Sequence, residues 1–270
     1  MQNQPLPTKP VHGIGSLDRG LTLIQLLRDE GNLRVMDAAE YLGVSRSSAH
    51  RLLTTLLFRG FAAQRDDHIY TPGPALMEPP ANLEWSRRLR EIARPHMEVL
   101  SLRAGESANL SVLVGTKTRF LDTVVAANVT HTNDRQGVVM PARRTSGGKA
   151  LLSQLDDDAL KELLCSPHPI TQVAELGATE FTAFLKDIHQ VRERGFGINF
   201  EETERGVAAV GVAIFDAAGS AVGAVSVSTR ADRFRGKVES NLISLLRDTS
   251  IQIGRDLKSQ NILITRKNGD

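Results

Sequence analysis

The sequence predicts an α+β protein with a small helical module and hairpin at its N-terminal end, a charged connector helix, and a larger domain of antiparallel strands carrying helices. Three observations lead there. Residues 36–61 hold two helix-period stretches that meet at Gly43-Val44-Ser45. Residues 82–103 form a charged helical run bounded upstream by Pro79-Pro80. From Gly105 the apolar period drops to two, helix patterns follow, and strand patterns return between 197 and 228, the order expected of an antiparallel sheet carrying helices.

Residues 1–15 are polar and rich in Pro and Gly, which predicts a disordered arm. Ser16 is then expected to cap a helix whose apolar positions Leu17, Leu21, Ile24 and Leu27 follow helical spacing, ended by Asp29-Glu30-Gly31-Asn32. The stretch MDAAEYLGVSRSSAHRLLTTLLFRGF over 36–61 predicts a helix, a tight turn and a second helix. Gly43 suits the position past a helix end because it tolerates positive φ, and the Ser45 hydroxyl suits the N-cap. In the second helix Ala49, Leu52, Leu53, Leu56 and Leu57 make a buried stripe, while Arg46, Ser47, His50, Arg51 and Thr54 share the outer side. Four arginines and no carboxylate lie between Tyr41 and Arg65, so this face would meet a phosphate backbone without repulsion. Residues 61–71 then predict two short strands around Asp66-Asp67, a hairpin that would be the wing of a winged helix-turn-helix. The alternative is a helical packing module that binds protein rather than DNA.

The module is bounded by Pro72-Gly73-Pro74, so it is placed at 16–75, with a linker helix over 76–104. In the linker, Leu83, Leu89, Ile92 and Leu100 supply an apolar stripe while Arg87, Arg88, Arg90 and Arg94 lie mostly off it. Pro95 must end, restart or kink the helix, because it lacks an N–H and crowds the preceding turn. The stretch reads either as a connector contributing to a dimer contact or as a surface helix of the second domain.

The second domain is placed at 105–260, with a tail over 261–270. Ala108, Leu110, Val112 and Val114 alternate with Asn109, Ser111 and Leu113, and residues 120–125 read as the next strand. Helices are expected at about 147–155, 156–165 and 179–194. Strands follow at 197–201, 207–215 and 221–228, the last two joined by the turn Asp216-Ala217-Ala218-Gly219, and a final helix spans about 236–258.

Composition narrows the function classes. A chain of 270 residues that is 41% hydrophobic can bury two cores, and its net charge of +2 requires any basic surface to be local. The single Cys165 cannot form an intrachain bridge and is expected to be a small buried side chain, so a reducing, cytoplasmic setting is expected. The opening MQNQPLPTKP lacks an apolar core of signal-peptide length, and no apolar run is long enough for a membrane span. No metal site and no cofactor are expected. The seven histidines are scattered, and no zinc-protease motif, nucleophile elbow or dinucleotide fingerprint occurs, so no catalytic residues are expected. An enzyme acting on a small acid through the second domain remains the rival reading.

Two stretches point to a ligand. Arg144-Thr145-Ser146-Gly147-Gly148-Lys149-Ala150-Leu151 opens a helix with small residues whose N–H groups could receive a carboxylate, but it lacks the first glycine and the final Ser/Thr of a P-loop. Ser226 and Ser228 project from one face of a strand, Val225 and Val227 from the other. Buried hydroxyls need partners, and Asn199 raises the same question. Ala208, Ala209, Gly211 and Ala213 are small enough to leave room for a ligand.

The chain resembles the IclR family of bacterial transcription regulators over nearly its whole length. The resemblance rests on Ser16-Leu17-Asp18-Arg19-Gly20-Leu21, on Leu42–Ser45 with His50–Leu53, on Thr145–Leu151, on Arg194-Gly195-Phe196 with Glu201-Glu202 and Gly206-Val207, and on Gly223–Ser228. It implies a winged helix-turn-helix, a linker helix and a GAF-like effector domain, assembled as homodimers or dimers of dimers on palindromic double-stranded operators. Helix 45–59 would enter the major groove with Ser45, Arg46, Ser47, His50, Arg51 and Thr54 facing DNA, and Arg65 in the wing touching backbone. The resemblance places effector contacts on Ser146, Gly147, Asn199, Ala209, Ser226 and Ser228, with Val129 as a wall. Relatives often carry an acidic residue at the Asn199 position. The family's effectors are small organic acids or aromatic compounds, and the small residues at 147, 209, 211 and 213 lead to the expectation of a flat aromatic acid or derivative, such as a hydroxybenzoate. A repressor is expected ahead of an activator, though the sequence itself does not separate the two.

Overall fold

The computed structural model describes residues 14–65, 67–77, 83–126, 134–166 and 174–260. The chain divides into two compact units, Met1–Pro79 and Pro80–Asp270.

The first unit contains α1 (Gly15–Glu30), α2 (Val35–Leu42) and α3 (Arg46–Phe58), the hairpin β1 (Ala62–Gln64) and β2 (Tyr70–Pro72), and the single turn α4 (Pro74–Met77). Gly43 takes φ 61° directly after α2, and Ser45 caps α3 by accepting the Ser48 N–H. The hairpin pairs Ala62 with Pro72 and Gln64 with Tyr70, and Leu33 forms a further bridge to Tyr70. Leu23, Leu27, Ala38, Ala49, Leu53 and Tyr70 are the center of the unit's core.

The structure corrects two details of α1. It starts two residues earlier than expected, with Ile14 rather than Ser16 at the N-cap and no side-chain cap, so Ser16 lies inside the helix. Leu17 and Leu21 are 58% and 51% exposed while Leu23 and Leu27 are fully buried. Periodicity locates an apolar stripe, but α3 and β2, which pack on α1, decide which edge of it is covered. Leu57, near the end of α3, is likewise exposed.

The second unit begins with α5 (Leu83–Ala104) and then β3 (Ser107–Val114) and β4 (Lys117–Val124). The short strand β5 (Val139–Pro141) and a 3-10 turn at Ala142–Arg144 lead into α6 (Ser146–Leu152), α7 (Asp157–Cys165) and α8 (Ala178–Arg194). Then come β6 (Gly197–Phe200), β7 (Val207–Phe215) and β8 (Ala221–Arg230). The six strands form one antiparallel sheet in the order β5-β4-β3-β8-β7-β6. The expected single last helix is instead α9 (Phe234–Lys237), a π turn at Val238–Leu242 and α10 (Ile243–Ser259). Asn241 sits at φ 112° there, which interrupts the helical backbone.

Alternation along the strands gives the sheet two distinct faces. Leu110, Val112, Val210, Val212, Val225 and Val227 point to one side and form a core with α5 and α10. α5 enters that core through Leu89, Ile92, Ala93, Met97 and Leu100, and the helix continues through Pro95, which therefore neither ends nor restarts it. The opposite side carries Asn109, Ser111, Ala209, Gly211, Ser226 and Ser228 and is covered by α6. Leu152, Leu160, Leu164, Phe181 and Ile188 join α6, α7 and α8 in a smaller cluster, against which Cys165 is only partly buried.

Among the described residues no helix is long and apolar enough to cross a membrane, and no group of His, Cys, Asp and Glu side chains is arranged to hold a metal ion.

Candidate nucleic-acid face and ligand cavity

In the first unit, burial of Ala49, Leu53 and Leu56 turns the other side of α3 outward. Arg46, Ser47, His50, Arg51 and Thr54 are all exposed, as a surface that docks into a groove requires. Ser45 is also exposed, but its hydroxyl is engaged in the cap and lies 3.0 Å from Ser47 Oγ and 2.9 Å from Ser48 Oγ. Arg65, at the tip end of β1, lies 3.4 Å from the Asp67 carboxylate. Both groups are largely in water, where such a pair is weak enough to exchange for another anion.

In the second unit a cavity lies between the polar face of the sheet and α6. Of the residues expected to contact a ligand, Ser146, Gly147, Asn199, Ala209, Ser226 and Ser228 all line it. Val129 lies outside the described residues. With its open mouth included, the cavity holds about 340 Å³ of space between atoms, much of it open to solvent.

Glycines decide how closely α6 approaches the sheet. A Cβ on Gly211 would lie 2.8 Å from the Gly147 nitrogen and 3.0 Å from the Ser226 Cβ, and one on Gly197 would strike the Ser146 carbonyl oxygen. Ala213 packs with Leu151 and Ala224. The small residues at 211 and 213 therefore seat α6 rather than leave space for a ligand, which corrects part of the expectation for that stretch. α6 is also shorter than expected, at seven residues, and the Gly148 N–H is already taken by the Thr145 hydroxyl at 3.0 Å. Below Gly147, the Ser111 Oγ is buried without a hydrogen-bond partner among the described residues.

The principal feature missed in the sequence is Arg135. Its side chain is only 11% exposed, it lines the cavity, and its guanidinium lies 5.9 Å from the center of the Phe120 ring. Nη2 donates to Glu204 Oε2 at 2.8 Å and Nη1 lies 3.5 Å from Met140 Sδ. The backbone that carries it is laced to β4, since Phe120 N–H donates to the Val138 carbonyl and Gly137 N–H donates to the Phe120 carbonyl. In the sequence, Asp134-Arg135-Gln136-Gly137 reads as an ordinary polar turn with no spacing signal.

A tightly bonded turn forms the rim beside it. Asn199 Nδ2 donates to Thr203 Oγ1 at 2.7 Å, and its Oδ1 accepts the Glu202 N–H at 3.0 Å. Glu202 is held in turn by Lys149, whose buried ammonium lies 2.7 Å from Glu202 and 2.8 Å from Asp187. Asn199 thus organizes the rim while lining the cavity. A neutral amide suits this role because it offers a donor and an acceptor at once.

Hydrogen bonds also run from the cavity through the sheet to α5. Asn109 Nδ2 donates to Ser228 Oγ at 3.3 Å, and Thr123 Oγ1 donates to Asn109 Oδ1 at 3.1 Å while accepting the Arg135 N–H at 3.2 Å. Thr123 N–H donates to Asp122 Oδ1 at 2.9 Å, and Arg94 Nη1 on α5 donates to the same oxygen at 2.9 Å. The hydrogen bond to Glu98, one turn along α5, followed by that to Asp122, holds the Arg94 guanidinium above its usual range.

Both parts of the chain have counterparts among known proteins. Residues 16–66 match the family described as the IclR helix-turn-helix domain, and residues 85–255 match that described as the bacterial transcriptional regulator IclR C-terminal domain. The chain is 27% identical over 264 residues to the HTH-type transcriptional repressor AllR of Escherichia coli K12, covering 95% of this chain and 94% of that one. The crystal structure of the Thermotoga maritima IclR is 26% identical, with a TM-score of 0.56 and coverage of 91% of this chain and 99% of that one. An IclR homolog from Microbacterium hydrocarbonoxydans, crystallized with 4-hydroxybenzoate, is 22% identical with a TM-score of 0.55, covering 90% and 98% of the two chains, a likeness of fold.

Proposed function

We propose, from the premise that this chain belongs to the IclR family of bacterial transcriptional regulators, that it is a repressor whose second domain binds a small organic acid and thereby changes operator affinity. The observation that carries the DNA-binding part is the outward, carboxylate-free side of α3, with Arg46, Ser47, His50, Arg51 and Thr54 exposed over a buried Ala49, Leu53 and Leu56. Arg46, Ser47, His50 and Arg51 reach base edges or phosphates, Ser45 and Thr54 flank them, and Arg65 meets backbone from the wing. Two copies in a homodimer, or four in a pair of dimers, engage a two-fold-related operator.

The effector part is supported by the cavity that Ser146, Gly147, Asn199, Ala209, Ser226 and Ser228 line. An aromatic acid the size of a hydroxybenzoate is the leading candidate, given the bound ligand of the Microbacterium homolog. Its occupancy alters DNA affinity only to the extent that it binds one arrangement of the protein better than another. The packing of α5 on the other face of the same sheet supports it as the element that transmits that preference.

The test uses the purified protein and the promoter region of its own gene in a mobility-shift titration at rising salt. Specific binding that weakens as counterions compete supports the reading, whereas indifference to the promoter, or binding that salt does not weaken, overturns it. Thermal-shift screening of small acids tests the effector part separately, because a ligand bound only by the folded state raises the melting temperature.

A further inference from the structure

We infer that Arg135 selects a monocarboxylate in the cavity, the ligand's carboxylate replacing Glu204 on its guanidinium. This rests on reading the cavity as the effector site. Arg135 is the one charged side chain among the described residues lining that cavity, and no carboxylate lines it. The remaining polar lining consists of hydroxyls and amides, including Asn109, Thr145, Ser226 and Ser228. The described lining thus carries a single positive charge.

The partners of Arg135 leave room for a better one. A guanidinium offers five N–H donors, and among the described residues its side-chain acceptors are Glu204 Oε2 and the sulfur of Met140, a weak acceptor. The guanidinium carbon lies over the Phe120 ring, 5.9 Å from its center, a contact that uses none of its N–H donors on an oxygen acceptor. The Glu204 side chain is 51% exposed whereas Arg135 is 11% exposed. The existing pair is therefore screened at its Glu204 end, whereas a carboxylate enclosed beside Arg135 is screened less and can accept two parallel hydrogen bonds. Glu204 loses little by returning to water.

Exchange of partners also has a structural consequence. Glu204 belongs to the rim turn that Asn199 and Lys149 organize. Transfer of Arg135 to the ligand removes that turn's tie to the opposite wall, while the Arg135 N–H remains on Thr123. The ligand's charge, rather than its bulk alone, then sets the rim.

Calorimetric titration of the full chain with acetate, pyruvate, benzoate and 4-hydroxybenzoate, each beside its carboxamide, tests this. At least one acid should bind about tenfold or more tightly than its amide, the scale of a charge-assisted hydrogen bond. Arg135→Gln should abolish that preference, Arg135→Lys should retain part of it, and Glu204→Gln should tighten acid binding by removing the competing carboxylate. Equal binding of acid and amide by the unaltered protein, or unchanged acid affinity in a folded Arg135→Gln variant, overturns the assignment while leaving the effector reading intact. Failure of every acid and amide to bind overturns both. Should Arg135→Gln not fold, the acid-to-amide ratio and the Glu204→Gln response decide, since neither needs that variant.

Discussion

Arg94 on α5 donates to the buried carboxylate of Asp122 on β4 at 2.9 Å, and Asp122 accepts from Thr123, whose hydroxyl bonds to Asn109 of the cavity wall. Arg94→Ala leaves a carboxylate that is 6% exposed without its cation. Because the Arg94 side chain is itself 45% exposed, the cost is reduced to about 1–3 kcal/mol, below that of breaking a fully buried pair. If this link carries the signal, Arg94→Ala and Asp122→Asn should bind both operator and acid, yet the acid should shift operator affinity less than in the parent. Mobility-shift titrations with and without acid measure this, and an undiminished shift removes the Arg94–Asp122 pair from the route.

Arg51 is exposed on the outer side of α3. Arg51→Ala should weaken operator binding while leaving the melting temperature unchanged. If the guanidinium meets a phosphate, the loss should be equal across sequences and the log-log salt slope should fall by about one. If it meets a base, the loss should be about 1–3 kcal/mol for the preferred sequence alone. Titration against matched and altered operators separates the two.

Gly211 gives α6 its seat on the sheet. A Cβ there would lie 2.8 Å from the Gly147 nitrogen and 3.0 Å from the Ser146 carbonyl carbon, so backbone must move. Gly211→Ala should destabilize the protein by about 1–3 kcal/mol, the usual range for overpacking. It should also weaken acid binding by displacing Ser146 and Gly147. Thermal melts and calorimetry on the same sample test both effects.

Asp157 at the start of α7 accepts from Arg192 Nη1 at 2.6 Å and lies 3.0 Å from His189 Nε2. The hydrogen bond from Arg192, followed by that from His189, holds its carboxyl below the usual carboxylate range. A depressed folded value means that the stabilization is present above the unfolded value, near pH 4, and is lost as pH falls through the folded one. Asp157→Asn should therefore lower the melting temperature at neutral pH, and the difference from the parent should shrink in acid. A difference that does not change with pH rules out this ion pair as its source.

Local chemistry made much of the fold legible in the sequence. The Gly43 turn, the Ser45 cap, the hairpin after Gly60 and the two-faced strands follow from backbone freedom, capping and period-two alternation. Burial on α1 was less legible, because Leu17, Leu21, Leu23 and Leu27 all fit helical patterns and the packing partners choose among them. The polar cavity face was legible from alternation and family pattern at Ser226, Ser228 and Asn199, all of which line the cavity. Arg135 was not, since its position depends on the pairing of 137–138 with Phe120 and on a pair made 69 residues away. Gly211 carried an ambiguous signal. A missing side chain marks a close approach, but not whether backbone or ligand makes it.

The parity of β3, β7 and β8 also bears on how such a protein changes its chemical preference. Asn109, Ala209, Ser226 and Ser228 face the cavity while their neighbors Ala108, Leu110, Val210, Val225 and Val227 fill the hydrophobic interior. If the cavity is the effector site, a laboratory library at Ala209 and Ser226, which lie outside the Asn109–Ser228 hydrogen-bond chain, would retune what the domain senses while its apolar scaffold stays constant.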